Sequence, residues 1–477
     1  MAAKDNREFL AELEKAGEAI RIEQEVDWDC EVGAVIRRSC EIGAPAPFFQ
    51  KIKDYPGYRM AGGLLANFRR IAMAMGLPPD TPARQIINEY SNRGKNLIKP
   101  VMVKKAPCQQ NVAMGKDVDL TKIPFIMAHD GDGGRYITWH FVIQKDPDTG
   151  FVNWGMYRAM LHNERLLGCW IGPMRDGGII MSKYHKKGEG CPFAIAVAPP
   201  PACGFAGAAD MKSGISEVDM AGALQGAPVE LVKCKTVDLE VPANAEIVLE
   251  GHSVPDVLVD EGPFGEFTGY RSAPRAPRPV FQVECITWRD NPVLTATIPG
   301  MPTDESHLLT YSIAASILYR EQLRAVGIPV VDVYVPPEAA GFVVIVSCHK
   351  SFDSMPAWIC DVIAGASVQG QGTAKMIIVV DHDVDPFNIG QVIHVLGTKL
   401  HPIKGVFTRT GLGGPINPYL SFQERSKFEG GRVVLDATWS VGWNPETEKP
   451  MKMSFDGTYS PELQKKVLDN WSKYGYK

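Results

Sequence analysis

Residues 261–266 read Glu-Gly-Pro-Phe-Gly-Glu. Two carboxylates five positions apart would face opposite sides of an extended strand, but the intervening glycines and proline let the backbone curl both toward one pocket. Carboxylates in unlike surroundings divide into an ion-pair partner and a proton carrier, the usual way of running acid/base chemistry near neutral pH. Spacing alone equally describes a solvated surface loop carrying two acids.

The elements that must hold such a pair follow from the rest of the chain. Its 477 residues exceed what one hydrophobic core usually organises. Asp5-Asn-Arg-Glu8 reads as a helix start, followed by Phe9, Leu10 and Leu13 at helical spacing, a stop near Gly17 and a strand from Ala19 to Ile22. Helical patterns and Pro/Gly turns continue to Asn96–Val103, the texture of a small α/β domain over residues 1–115. Residues 116–302 turn to short β-rich runs: Tyr136–Gln144, Phe193–Ala198, Leu231–Lys235, Glu246–Leu249, Phe281–Trp288 and Val293–Ile298. Gly/Pro clusters separate them, as in a barrel or sandwich. Leu308, Leu309, Ile313, Ala315, Ile317 and Leu318 predict one linking helix within 303–325. Residues 326–477 then alternate apolar strands (Val330–Val335, Phe342–Val346, Met376–Val380) with helical stretches (Trp358–Ile363, Ile389–Thr398), which predicts a βαβ layer with a mostly parallel sheet.

Composition narrows the function classes. With 50 basic and 55 acidic residues and a net charge of −5, the chain lacks a broad electrostatic footprint for nucleic acid or anionic membrane. The longest apolar runs, such as Gly341–Cys348, are far shorter than the roughly 20 residues that span a bilayer. The charged N-terminus lacks the apolar core of a signal peptide. Ten cysteines without any Cys-x-x-Cys pair signal neither a zinc knuckle nor a disulfide framework, and a reducing, cytoplasmic location is expected. There is no P-loop. Gly131-Asp-Gly-Gly134 and Gly411-Leu-Gly-Gly414 lack the strand–helix context of a dinucleotide site, and His-Glu-x-x-His and Gly-x-Ser-x-Gly are absent.

Five segments in order carry a more specific signal: His129-Asp-Gly-Asp-Gly-Gly-Arg-Tyr136, Asn153-Trp-Gly-Met-Tyr-Arg158, Gly214-Ile-Ser-Glu-Val-Asp219, Glu261-Gly-Pro-Phe-Gly-Glu266 and Lys375-Met-Ile-Ile-Val-Val-Asp-His-Asp383. Together they resemble the UbiD-type decarboxylases that use prenylated FMN, including the ferulic acid and hydroxybenzoate branches. The resemblance implies an α/β fold in three parts: an N-terminal α/β domain, a split β-barrel of flavin-reductase type that holds the cofactor, and, beyond the linker helix, a C-terminal α/β oligomerisation domain. The activity it implies is reversible, non-oxidative loss of CO₂ from an unsaturated or aromatic acid through a prenylated-FMN adduct. The carbanion-like centre so formed needs an electron-accepting cofactor, because side chains stabilise it poorly.

Carried over residue by residue, the resemblance makes Arg158 the partner of Glu261 in gripping the substrate carboxylate, and Glu266 the proton carrier. Glu266 should then be desolvated with a raised pKa, while Glu261 stays ionised beside Arg158. Asn153, Trp154, Gly155, Met156, Tyr157 and Arg158, with Met174, Arg175, Glu217 and Lys375, fall around the cofactor. Asn153 and Glu217 match ligands of a divalent metal, typically manganese, and Lys375 matches a phosphate-binding lysine. Potassium is a further ion the resemblance allows.

One departure matters. In ungapped register the family's Gln-His pair falls on Met174-Arg175, so the usual metal-binding histidine is missing. An arginine cannot ligate a cation, since its nitrogens only donate, yet it can pair with a phosphate and a glutamate. The expectation is that Arg175 replaces part of the metal's charge between the cofactor phosphate and Glu217; the metal itself stays open.

The resemblance implies a substrate pocket lined by Phe267, Thr310, Tyr311 and Ala314, a flat slot whose aromatic walls suit a planar ring. The stretch Glu-Phe-Thr-Gly-Tyr at 266–270 looks more like the hydroxybenzoate branch and the C-terminal tail like the ferulic branch, and an aromatic or heteroaromatic acid is favoured over a cinnamic-type acrylic acid. Two other classes stand beside this reading, an FMN-dependent oxidoreductase and a non-catalytic flavin-binding subunit. Neither has need of Arg158, Glu261 and Glu266 together. The partners implied are the small carboxylic acid, a flavin prenyltransferase that supplies cofactor, and further copies of the chain as dimer or hexamer.

Overall fold

The computed structural model describes residues 2–209, 211, 215–366 and 374–476. Gly214 of the third motif lies outside the described residues. The opening helix, Asn6–Lys15, is capped by Asp5, whose carboxylate accepts from the Glu8 N–H. Phe9, Leu10 and Leu13 form its buried stripe, as their spacing predicts. The strand after it runs Ala19–Val26 and pairs in parallel with Ala46–Ile52.

Three sheet memberships differ from the linear reading. Val293–Ala296 pairs in parallel with Arg59–Gly62 and completes the first sheet. Val101–Met102 joins Glu230–Lys233 and Glu240–Pro242 in a small three-stranded sheet, and Asn111–Met114 pairs with Ala276–Trp288. Sheets therefore cross the boundary drawn at 115. A β run shows which residues are extended but not which neighbour they join.

The central sheet has nine antiparallel strands. Eight follow the order Tyr136–Ile137, Ala159–Leu161, Leu166–Cys169, Ala276–Trp288, Ile247–Glu261, Pro192–Val197, His140–Lys145 and Val152–Gly155, with Asn111–Met114 pairing off Ala276–Trp288. The run expected as one strand, Tyr136–Gln144, is split: its two halves lie toward opposite ends of the sheet, joined by Thr138 and Trp139 alone. Met156–Arg158 likewise joins the strand at one edge to the second strand from the other. In a flat sheet six strand spacings would part these strands by about 29 Å, whereas links of two and three residues reach about 11 and 15 Å. The sheet must therefore curl until its edges approach. Arg158 sits in that seam.

Beyond it the linking helix starts as a π-wound stretch, His307–Ala314, and continues as the α-helix Ala315–Ala325. The last sheet runs Val330–Tyr334, Val343–Cys348, Met376–Asp381, Glu429–Ala437, Val406–Leu412. It is mixed rather than mostly parallel: only the two central pairings are parallel, and both outer ones are antiparallel. Residues 335–342, which join the first two strands, are fewer than the dozen or so a parallel crossover needs.

Candidate active site

Glu261 is the last residue of the strand Ile247–Glu261, which continues 12 residues past the end expected at Leu249, and Glu266 follows in the loop. Arg158 faces both from the seam. Its Nε and one terminal nitrogen donate to Oε1 and Oε2 of Glu261 at 2.8 and 2.9 Å, and its other terminal nitrogen donates to Glu266. The first pair is the planar fork that a carboxylate matches. Glu261 is 1% exposed and Glu266 9%, which rules out the solvated surface loop. The loop is curled as its glycines and proline allow, with Gly262 at φ +85°.

Burial raises the Glu266 pKa; Arg158 works against that shift, and the charges of Glu261 and Asp132 add to it. One carboxylate is thus locked by a fork of donors, while the other is desolvated and biased toward holding a proton.

Side chains that sequence reasoning left without a role complete the setting. The Tyr136 hydroxyl donates to Glu261 Oε1 at 2.8 Å, and its ring packs on Phe264 of the loop, 4.4 Å between centroids. Arg278 lies 3.9 Å from Glu261 Oε2, and Trp170 packs on the guanidinium groups of Arg158 and Arg278 at 4.2 and 4.7 Å. Asp132 accepts from the Gly265 N–H at 2.9 Å. Tyr136, His129 and Asp132 all belong to the first quoted motif, which was the available signal.

The family profiles for the 3-octaprenyl-4-hydroxybenzoate carboxy-lyase N-terminal, Rift-related and C-terminal domains match residues 10–90, 99–302 and 309–437. The chain is 33% identical to the pyrrole-2-carboxylic acid decarboxylase of Pseudomonas aeruginosa over 494 aligned positions, covering 100% of this chain and 99% of that one. The chain belongs to the UbiD family of carboxy-lyases. Among solved structures, the closed form of Sedimentibacter hydroxybenzoicus vanillic acid decarboxylase superposes with a TM-score of 0.88 at 29% identity, covering 99% and 100% of the two chains. The UbiD-class enzyme HmfF of Pelotomaculum thermopropionicum, in an evolved dimeric form complexed with prFMN, gives 0.79 at 28% identity, with 97% and 100% covered.

In this UbiD chain Glu217 and the start of the helix that follows Arg175 meet the strand Val152–Gly155 and the link after it, whereas Met174 and Lys375 have no contact with it among the described residues. Asn153 is buried, and its Nδ2 has no hydrogen-bond partner among the described residues. The Trp154 N–H donates to Glu217 at 3.3 Å, while the Trp154 ring stacks on Phe141 and belongs to the core. The Tyr157 hydroxyl accepts from the Gly177 N–H at the start of the helix Asp176–His185, whose N-cap residue is Arg175. Gly155 allows this closeness, since a Cβ there would lie 2.4 Å from the Tyr157 ring. Met156 is partly buried against the core, whereas Met174 is 75% exposed and turns to solvent. Lys375 sits with Nζ 4.3 Å from the Tyr419 ring centroid and 5.4 Å from that of Phe342.

Taken singly, the donor groups of Asn153, Arg175 and Lys375 suit a flavin phosphate. Asn153 offers an orphaned buried amide, and Arg175 and Lys375 offer charge. They fit a metal less well. Asn153 and Glu217 supply two oxygen ligands, and no group of three His, Cys, Asp or Glu that could hold an ion is found among the described residues.

The expected slot residues divide. Phe267 and Tyr311 stack face to face, 4.1 Å between centroids, in a cluster with Ala340, Phe342 and Ile416. Thr310 donates to the Ala208 carbonyl, and Ala314 packs against the large core. No ring fits between two rings already in contact, so the four do not form a single open slot here. No helix among the described residues is long and apolar enough to cross a membrane.

Proposed function

We propose that this chain catalyses the reversible, non-oxidative decarboxylation of an aromatic or heteroaromatic carboxylic acid with prenylated FMN as cofactor. The observation that carries the reading is Arg158, which holds two buried carboxylates of unlike environment at once. Pyrrole-2-carboxylate and vanillate, in the names of similar enzymes, are acids of this class.

The guanidinium has five N–H hydrogens, three of them engaged by Glu261 and Glu266, which leaves two for a substrate carboxylate. Glu261 and Tyr136 hold that guanidinium in one orientation, and Trp170 shields it from water. The cofactor, when bound, supplies the electron-accepting system that makes loss of CO₂ feasible. Breaking the carbon–carboxylate bond leaves its electron pair on carbon, and Glu266 gives that carbon its proton. Glu266 is then reprotonated from solvent, and the reverse sequence carboxylates.

Asn153, Arg175 and Lys375 would hold the cofactor phosphate, with Arg175 bridging it to Glu217 and supplying charge that a metal provides elsewhere. Oligomerisation is supported by exposed apolar side chains toward the C-terminus, among them Ile403, Met451 and Met453 at 82, 70 and 80% exposure. The deciding experiment is co-expression with a flavin prenyltransferase, then the absorption spectrum and mass of the bound flavin, and a CO₂-release screen over aromatic, heteroaromatic and cinnamic acids. Unmodified FMN with nicotinamide-dependent reductase activity would overturn the reading.

A further inference from the structure

The backbone on both sides of Glu266 is held by a histidine–aspartate pair. On its N-terminal side, the Gly265 N–H donates to Asp132 Oδ1 at 2.9 Å, and Asp132 Oδ2 lies 2.9 Å from His129 Nδ1. On its C-terminal side, His307 Nε2 donates to the Phe267 carbonyl at 2.6 Å, and His307 Nδ1 lies 2.9 Å from Asp304 Oδ1. A carbonyl only accepts, so Nε2 carries the hydrogen. In each pair the two residues are three apart in the chain.

The pairs are also joined to each other. His129 Nε2 donates to the Pro299 carbonyl at 2.8 Å, and the Gly300 N–H donates to Asp304 Oδ2 at 3.2 Å. Arg37, from the helix Glu31–Glu41, fastens the same segment by donating to the Ile298 carbonyl at 2.7 Å, the Thr303 carbonyl at 3.0 Å and Asp304 at 3.2 Å. The contacts close a ring that runs Glu266, Gly265, Asp132, His129, residues 299–304, His307, Phe267 and back to Glu266.

Burial sets how firmly this ring holds. His307 and Asp304 are wholly buried and Asp132 is 8% exposed, so water cannot replace the contacts they make. Gly265 admits nothing larger, since a Cβ there would lie 2.6 Å from the His129 ring. The ring also spans parts of the chain that fold into different layers, with Arg37 from the first, the motif 129–136 from the central sheet and His307 from the start of the linking helix.

We propose that His307 and Asp132 are positioning residues that clamp the backbone of Glu266, fixing where its carboxyl meets the substrate carbon. The proposal rests on the reading of Glu266 as proton carrier. Neither side chain touches the reacting atoms. Their effect is exerted through Gly265 and Phe267, and a displacement of about 1 Å at a reacting group can cost about 10²-fold in rate.

The test uses the full-length protein with Asp132→Ala, His307→Ala, His307→Gln and Glu266→Gln. Two readouts are taken: backbone amide exchange over residues 262–270 without cofactor, and kcat and KM of the cofactor-loaded enzyme. A glutamine amide nitrogen can reach where Nε2 sits and can donate to the Phe267 carbonyl. The expected result is faster exchange and a kcat lower by about 10 to 10²-fold in both alanine variants, KM moving less than about threefold, with most of the kcat recovered in His307→Gln. Wild-type kcat in both alanine variants would overturn the clamp, as would unchanged exchange over 262–270. Were alanine at 307 to prevent folding, a His307→Gln enzyme with protected loop and near-native kcat supports the clamp, and one as slow as Glu266→Gln overturns it. Glu266→Gln separates the two ideas: normal turnover there sinks the proton-carrier reading, while loosened exchange in the alanine variants still supports the clamp.

Discussion

The Tyr136 hydroxyl donates to Oε1 of Glu261, the same oxygen that Arg158 Nε holds, both at 2.8 Å. Glu261 therefore lies between a phenol from the first quoted motif and a guanidinium from the seam of the sheet, and neither can shift without disturbing the other.

Tyr136→Phe should keep the fold, because the ring's packing on Phe264 survives, and lower kcat/KM by about tenfold or somewhat more. A hydrogen bond to a charged acceptor is worth about 1.5–3 kcal/mol, and about 1.4 kcal/mol is one decade in rate. Steady-state kinetics beside a thermal melt checks this, and an unchanged kcat/KM would remove Tyr136 from the site.

Turnover in the decarboxylation direction should fall as pH rises through the Glu266 pKa, since the carboxyl must hold a proton to give it away. Burial, opposed by Arg158, places that pKa above the usual carboxylate value, so the limb should lie on the alkaline side of 4.5. A kcat–pH profile checks this directly. In Glu266→Gln that limb should vanish along with turnover.

Glu305 should make stability depend on pH in one direction. It is buried with its carboxyl accepting from Thr297 Oγ1 at 2.6 Å, and burial raises its pKa above 4.5 while Thr297 resists. A carboxyl whose folded-state pKa is raised binds its proton more tightly in the native state. Its stabilising contribution is complete below the unfolded value and is lost as pH rises through the folded one. Glu305→Gln should therefore melt with a flatter pH dependence above about pH 4.5 than the parent chain. A steeper dependence in the variant would contradict the assignment.

Chelation should leave the holoenzyme's flavin content and activity within about twofold if Arg175 supplies the charge a metal would bring, since a fixed guanidinium cannot be extracted. Arg175→His should instead acquire manganese, measured per flavin by elemental analysis. Stoichiometric manganese in the parent holoenzyme would count against Arg175 in that role.

Much of the site was legible because it is written in short, ordered motifs. Arg158, Glu261 and Glu266 were expected together and are found in contact. Local signals also served where the physics is local: the Asp5 cap, the buried stripe of the first helix and the linking helix all follow their periodicity. Legibility failed where partners are distant. Nothing in Tyr136–Gln144 announces that its two halves lie toward opposite ends of one sheet, or that Val293–Ala296 joins strands more than two hundred residues earlier. The stack of Phe267 on Tyr311 escaped for the same reason, because composition can nominate two rings but cannot set the gap between them.

Residue types and their order alone determined that this chain carries a cation, two unlike carboxylates and a loop able to curl. These follow from side-chain chemistry and from the backbone freedom of glycine and proline, properties a residue keeps in any surroundings. Tertiary structure alone decided that the carboxylates are buried rather than solvated, that Tyr136 and Trp170 enclose the guanidinium, and that two histidine–aspartate pairs grip the loop. Those outcomes depend on which strands meet when the sheet curls. That is settled by the summed burial of the whole core rather than by any segment's own preference.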